Sequence, residues 1–303
     1  MNNLALLFSN NILPIFLAAG TGYLAAKYWR VNARSVSKIS FFIFSPCLIF
    51  SLITNSQLGG DDVLRMASFA LTNILIIGIL AWIVGRLMRL ERRLLIALLL
   101  SSMFVNAGNY GLSLNLFAFG EIALAHASIY FVVSAILMYT VGVVVASLGA
   151  FNLKDALLGL LKIPVVYAVI LGLLFSRFSW QLPLPLDRTV GILGDAAIPV
   201  LMILMGIQLA KSSFDGQKLA LAATSSMRLV VAPLLAILIS VPFGLQGFAR
   251  QAGILEASMP TAIISIILAT EYDVEPAFVT MTVFTTTLLS PFTLTPLLAY
   301  LGA

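Results

Sequence analysis

Apolar residues run along this 303-residue chain in blocks of about 20, separated by short polar or charged joints. A helix of that length crosses roughly 30 Å of hydrocarbon. The pattern predicts ten membrane spans, at about 12–28, 36–56, 63–86, 94–119, 123–149, 155–176, 189–210, 217–243, 251–270 and 276–301. Short strands of alternating polarity, the mark of a membrane barrel, are not visible. Two blocks carry a helix-breaking cluster at their middle. Asn106-Ala107-Gly108-Asn109-Tyr110-Gly111 interrupts the fourth, and Ser258-Met259-Pro260-Thr261 interrupts the ninth. Backbone groups freed inside a bilayer have no water to pair with. Breaks at corresponding places in two halves of a chain are the best sequence pointer to a secondary transporter's binding site.

Composition supports the same class. Hydrophobic residues make up 61% of the chain, charged residues 10%, and mean hydropathy is +1.07. An all-α integral membrane protein is expected, with the lipid bilayer as its principal partner. The net charge of +5 is distributed by loop and is not a nucleic-acid signal. Lys27, Arg30, Arg34 and Lys38 follow span one; Arg86, Arg89, Arg92 and Arg93 follow span three; Lys154 and Lys162 follow span five; Lys211 and Lys218 follow span seven. The positive-inside rule then puts these loops in the cytoplasm and both termini outside, in a multi-pass protein of the inner (plasma) membrane. Glu271, Asp273 and Glu275 dissent, but acidic residues weigh little in that rule. The first span lacks a basic lead and a convincing cleavage site, and reads as a retained helix. Cys47 is the only cysteine and His126 the only histidine. No intrachain disulfide and no ordinary His/Cys zinc site can be built from them. No metal or cofactor is expected.

The two halves echo each other at an offset near 150. Pro14 answers to Pro164, Pro46 to Pro199, Asn106-Ala107-Gly108 to Ser258-Met259-Pro260, and Gly120-Glu121 to Tyr272-Asp273. Five spans per half, an odd number, force the second half to run inverted relative to the first, as in secondary transporters. The joint near Ala150–Asp155 is too short for another domain.

The breaks supply the candidate chemistry. Glycines 108 and 111 permit conformations closed to other residues. Asn106 and Asn109 offer amide donors and acceptors. Pro260 removes a donor. If the breaks cross, two helix N-termini meet near midplane with free N–H groups that suit an anion. The C-terminal ends of the preceding half-helices would offer carbonyls to a cation. Arg228 lies in mid-span, where a charge is rare and faces the protein interior or a cavity. It could attract an anionic solute, clamp the crossing, or pair with backbone carbonyls. Glu256, one turn before Pro260, is a candidate proton carrier or cation ligand, or else an interfacial residue. Asp195 is a weaker candidate nearer the surface. Hydroxyls of the last span, from Thr280 to Thr295, serve their own helix or its neighbours. Trp29, Trp82 and Trp180 read as interfacial anchors. His126 reads as a surface residue near a helix start.

Asn106-Ala107-Gly108-Asn109-Tyr110-Gly111-Leu112, Arg228 followed by Pro233, Met259-Pro260 and Glu271-Tyr272 together resemble the auxin efflux carrier family, whose plant members are the PIN auxin exporters. The resemblance covers essentially the whole length. It implies ten helices in two inverted five-helix repeats, related to bile-acid and sodium/proton transporters, with helices 4 and 9 broken and crossing. It further implies a scaffold from 1–60 and 151–212, often a homodimer, and a mobile transport domain from 61–150 and 213–303. The family's asparagine falls on Asn106 and its proline on Pro260. A proline common two residues after the first-break glycine is Ser113 here.

The expected activity is secondary transport of a small organic anion by elevator-type alternating access. The expected substrate-binding residues are Asn106, Gly108, Asn109, Tyr110, Met259, Pro260, Thr261 and Arg228. Glu256 and Asp195 are the candidates for a coupling sodium ion or proton. A cation antiporter on the same fold is the main rival, disfavoured because no midplane aspartate pair is present. An intramembrane enzyme lacks its usual motifs, HExxH and Gly-x-Ser-x-Gly. A membrane sensor has no need of two broken helices.

Overall fold

The computed structural model describes residues 2–55, 59–147, 164–210 and 217–303. Lys154, Lys162, Lys211, the joint near Ala150–Asp155 and the first part of the sixth span lie outside these. The described residues are helical, without strands; one isolated bridge pairs Val105 with Thr261. Among the described residues, seven helices are long and apolar enough to cross a membrane. They are α1 (Leu4–Trp29), α2 (Ala33–Asn55), α3 (Gly60–Leu87), α5 (Ala107–Ala146), α7 (Leu184–Leu209), α8 (Lys218–Ser240) and α11 (Pro276–Leu301). The apolar α6 (Pro164–Phe178) is shorter. Three short helices complete the set: α4 (Arg92–Met103), α9 (Gly247–Ala257) and α10 (Ile264–Glu271).

Several of these limits have local causes. Asp61 and Asp62 stand in the first turn of α3, and the Asp62 side chain accepts from the Gly59 N–H. Acidic groups there oppose the partial positive charge of the helix end. Within α5 the chain turns at Gly120, where φ is +78°, a conformation open mainly to glycine. The first arm of α5 therefore ends near residue 119 and a second begins at 121. Proline opens α11 in its first turn, where the missing N–H costs nothing.

Helices α1 and α7 pack with their backbones in close approach. A Cβ added to Gly22 would stand 2.0 Å from the Ile203 carbonyl oxygen, and one added to Gly206 would stand 1.7 Å from that of Ala19. Only glycine allows the backbones to meet there, the small-residue packing that joins helices in lipid. Helix α2 packs on α6 and on the first half of α7, while α9 packs on α5 and α3. Arg93 at the head of α4 and Asp273 beyond α10 form an ion pair at 2.9 Å. The basic joint after α3 and the acidic joint after α10 thus lie at one end of the molecule. Trp29, Trp82 and Trp180 are exposed.

The last helix keeps its hydroxyls largely to itself. Thr280, Thr282, Thr286, Thr293 and Thr295 each donate to a carbonyl one turn back. Thr286 also accepts from the N–H of Thr261 at 3.2 Å, which ties α11 to the second break.

Candidate functional site

Helix α4 stops at Met103, and its C-cap Phe104 is extended. Helix α9 stops at Ala257, and helix does not resume until Ile264. The two interruptions lie against each other. The N–H of Asn106 donates to the Pro260 carbonyl at 2.8 Å, and the N–H of Ala262 donates to that of Phe104 at 2.9 Å. Two segments, each lacking a helical partner, supply one another in a single antiparallel step.

The C-terminal ends of both half-helices are closed. A helix end leaves its last four carbonyls without intrahelical donors. At α4, the Leu100 carbonyl accepts from Ser265 Oγ at 3.3 Å, Ser101 from Thr261 Oγ1 at 2.8 Å, and Ser102 from Arg228 Nη1 at 2.6 Å. At α9, the Ile254 and Leu255 carbonyls accept from the N–H of Ser258, and Glu256 from that of Met259. Ala257 accepts from Arg228 Nη2. One wholly buried guanidinium therefore joins both helix ends. Its charge also opposes the partial negative charge gathered at them. Arg228 pairs with backbone carbonyls, one of its expected alternatives, and it is not among the residues that border the cavity. The expectation that these carbonyls would serve a cation is corrected: seven of the eight have protein donors, leaving Met103 as the exception.

The N-terminal ends are open. The N–H groups of Ala107, Gly108 and Asn109 begin α5, and none meets an acceptor from another segment among the described residues. They border a cavity of about 130 Å³, and the residues that lead into α10, from Ala262 to Ile264, border the same space. That volume exceeds the ~30 Å³ share of one water several-fold. Serines 37, 40 and 45 of α2, Ser134 and Tyr139 of the second arm of α5, and Gln208 of α7 add polar groups to its wall. Asn109 Nδ2 donates to Gln208 Oε1 at 3.2 Å. Asn106 is 5% exposed, and its buried Nδ2 has no acceptor among the described residues.

Of the residues expected at the site, Asn106, Gly108 and Asn109 line the cavity, while Tyr110, Met259, Pro260 and Thr261 lie behind the wall. Tyr110 is buried against Phe16, with ring centroids 6.0 Å apart, and accepts from Ser290 Oγ at 3.4 Å. Pro260 and Thr261 act through their backbones and the Thr261 hydroxyl. The glycines need a different explanation from the expected one. Neither Gly108 nor Gly111 has a positive φ. Gly111 leaves room for a carboxylate instead, since a Cβ there would stand 2.3 Å from Glu256 Oε2.

Glu256 is fully buried, which excludes the interfacial alternative. Its Oε1 accepts from Asn115 Nδ2 at 3.0 Å, while its Oε2 and Asn115 Oδ1 have no partner among the described residues. The same Asn115 nitrogen also donates to the Gly111 carbonyl at 2.9 Å. Asp195 ends the first half of α7, is exposed, and is not brought to this cluster. Asn115 and Gln208 were not singled out from sequence. An amide one turn beyond Gly111, in an uncharged block, was the available signal for Asn115. Gln208 stands at a span end, where a polar residue has no distinguishing mark.

His126 departs from expectation as well. It is 8% exposed rather than a surface residue, and its Nδ1 has no partner among the described residues.

A family profile described as membrane transport protein matches residues 7–150 and 150–298. An uncharacterised transporter of Methanothermobacter thermautotrophicus is 25% identical over 86% of this chain and 86% of its own. A protein of Rhizobium meliloti, provisionally named a malonate transporter, is 26% identical over 95% of this chain and 93% of its own. Auxin efflux carrier component 3a of Oryza sativa is 29% identical over 45% of this chain and 23% of its own.

Proposed function

Because the chain belongs to the family of membrane transport proteins that includes the auxin efflux carriers, we propose that it is a secondary transporter of a small organic anion. The observation that carries this reading is the asymmetry of the two breaks. Both half-helix N-termini open onto one cavity, while the C-terminal carbonyls are closed by Arg228, Thr261, Ser265 and the turn at Ser258. Partial positive charge faces the cavity, which favours a carboxylate and disfavours a bare cation. Asn106 Nδ2 and the N–H groups from Ala107 to Asn109 would hold the carboxylate. The Rhizobium meliloti relative's name makes malonate a first solute to try.

Transport would proceed by elevator-type alternating access. Ten spans, counting α4 with the first arm of α5 as one, the second arm of α5 as another, and α9 with α10 as one, would form two inverted repeats. Helices α1, α2, α6 and α7 would form a scaffold, shared with a second copy in a homodimer, and the remaining helices the moving domain. The cavity fits this division, because its walls come from α2 and α7 on one side and from α5 and α10 on the other. Asn109 and Gln208 face each other across that divide. Glu256, buried beside Asn115, would take the coupling proton or sodium ion in preference to the exposed Asp195.

The test is flux into proteoliposomes across a panel of mono- and dicarboxylates, with and without sodium and at two pH values. At least one solute is expected to be carried, and Asn106→Ala is expected to cut its uptake at least tenfold. Unchanged uptake of every accepted solute by Asn106→Ala would remove the site assignment. Sodium–proton exchange without any organic solute would favour the antiporter.

A further inference from the structure

A second cavity, of about 400 Å³, opens away from the crossing and is bordered by Asp62, Arg65, His126, Gln246, Phe248 and Ala249. It lies at the start of α3, the end opposite the Arg93–Asp273 pair, since α3 runs 28 residues from Gly60 to the joint that leads to Arg93. A helix of that length measures roughly 42 Å.

Three kinds of donor converge on this space. The first is the N-terminus of α9. Its N-cap Gln246 makes no side-chain cap, and the N–H groups of Gly247, Phe248 and Ala249 meet no backbone acceptor among the described residues. Such a helix end attracts anions. The second is His126, nine-tenths buried with Nδ1 unpartnered, although a buried ring nitrogen ordinarily finds a partner. The third is Arg65, which forms no ion pair among the described residues. The one acid on the wall, Asp62, is engaged as the cap of α3 through the Gly59 N–H at 3.3 Å.

We propose that this cavity is a second anion site, which binds a small carboxylate between Arg65, the His126 imidazole and the amides at the head of α9. A carboxylate fits better than a halide. Its two oxygens match the fork of a guanidinium, and the remaining donors can share the second oxygen. The cavity is also of the size that encloses small organic ligands. The crossing lies a helix length away at the other end of α9, roughly 17 Å for its 11 residues.

The single histidine of the chain makes the test direct. Full-length protein carrying 13C- and 15N-labelled histidine is placed in lipid nanodiscs, and its one imidazole signal is followed by NMR. Sodium malonate and sodium acetate are titrated at constant ionic strength, with sodium chloride as the comparison. A saturable shift with at least one carboxylate, absent with chloride, is expected. Arg65→Gln should raise the half-saturating concentration at least tenfold, and Asn106→Ala should leave it within twofold. No saturable shift with either carboxylate, an equal response to chloride, or indifference to Arg65→Gln would overturn the proposal. A shift abolished by Asn106→Ala would assign the carboxylate to the crossing instead, which overturns the second site and leaves the transport reading standing.

Discussion

Two pairs of segments meet closely in this molecule, and they do so by opposite means. Helices α1 and α7 touch through Gly22 and Gly206, with backbone oxygens where side chains would otherwise stand. Each helix there keeps its own hydrogen bonds, so closeness requires only the absence of side chains. The breaks at 104–106 and 258–263 have given up helical bonds and must import partners. They find them in each other, in Thr261 and Ser265, and in one buried arginine. A steric contact needs two small residues. A polar contact of the same size needs donors from several parts of the chain, and it leaves the unused N–H groups aimed at a cavity. The difference separates a joint suited to holding from a joint suited to binding.

The two kinds of joint should fail differently. Gly206→Val places a side chain inside the Ala19 carbonyl. Overpacking a core costs about 1–3 kcal/mol when side chains can shift, and here the obstacle is backbone. Gly206→Val is therefore expected to exceed that range and yield little monodisperse protein by size-exclusion chromatography. Normal recovery would mean that the α1–α7 approach is not as close as described.

Arg228→Met should cost somewhat less, because it leaves the Ser102 and Ala257 carbonyls buried without a donor. Hydrogen bonds to a charged group contribute about 1.5–3 kcal/mol each, so a loss of roughly 3–6 kcal/mol is expected for the two, read as a lowered midpoint of thermal unfolding. Arg228→Lys should recover part of it. If the two variants are equally unstable, charge and donors are not what the position supplies.

Gly111→Ala comes next, at about 1–3 kcal/mol by the overpacking estimate, since its Cβ meets Glu256. The double variant Gly111→Ala with Glu256→Ala should lose less than the sum of its singles, as residues in contact do. Strict additivity would separate the two positions. The smallest effect belongs to Arg93→Ala. Its pair with Asp273 is exposed on both sides, and such pairs contribute less than about 1 kcal/mol.

The uneven legibility of this molecule follows the same division. Spans and breaks were readable because they are local. A run of apolar residues marks a helix, and Asn106-Ala107-Gly108 or Met259-Pro260 marks its interruption within a few positions. The ninth span was expected over 251–270, and the structure starts its first helix at Gly247 and ends its second at Glu271. Partnerships were not readable, because they join distant positions. Asn115 meets Glu256 across 141 residues, and Asn109 meets Gln208 across 99. Arg228 was conspicuous as a charge in an apolar span, yet its choice between solute and clamp depended on where two other helices ended. The reason for Gly111 was also hidden, since the carboxylate it accommodates belongs to the other half of the chain.

The central claim is that the cavity beside the paired breaks holds the transported solute. Solute protection of a cysteine in its wall tests this most directly. Ser134 borders the cavity and is nearly isosteric with cysteine. In a Cys47→Ser background, Ser134→Cys would be labelled with a small thiol reagent in proteoliposomes, beside Thr293→Cys on α11 as a control outside the cavity. A carried anion at saturating concentration is expected to slow labelling at Ser134→Cys at least fivefold and leave the control unchanged. Equal labelling rates at Ser134→Cys with and without that anion would contradict the account.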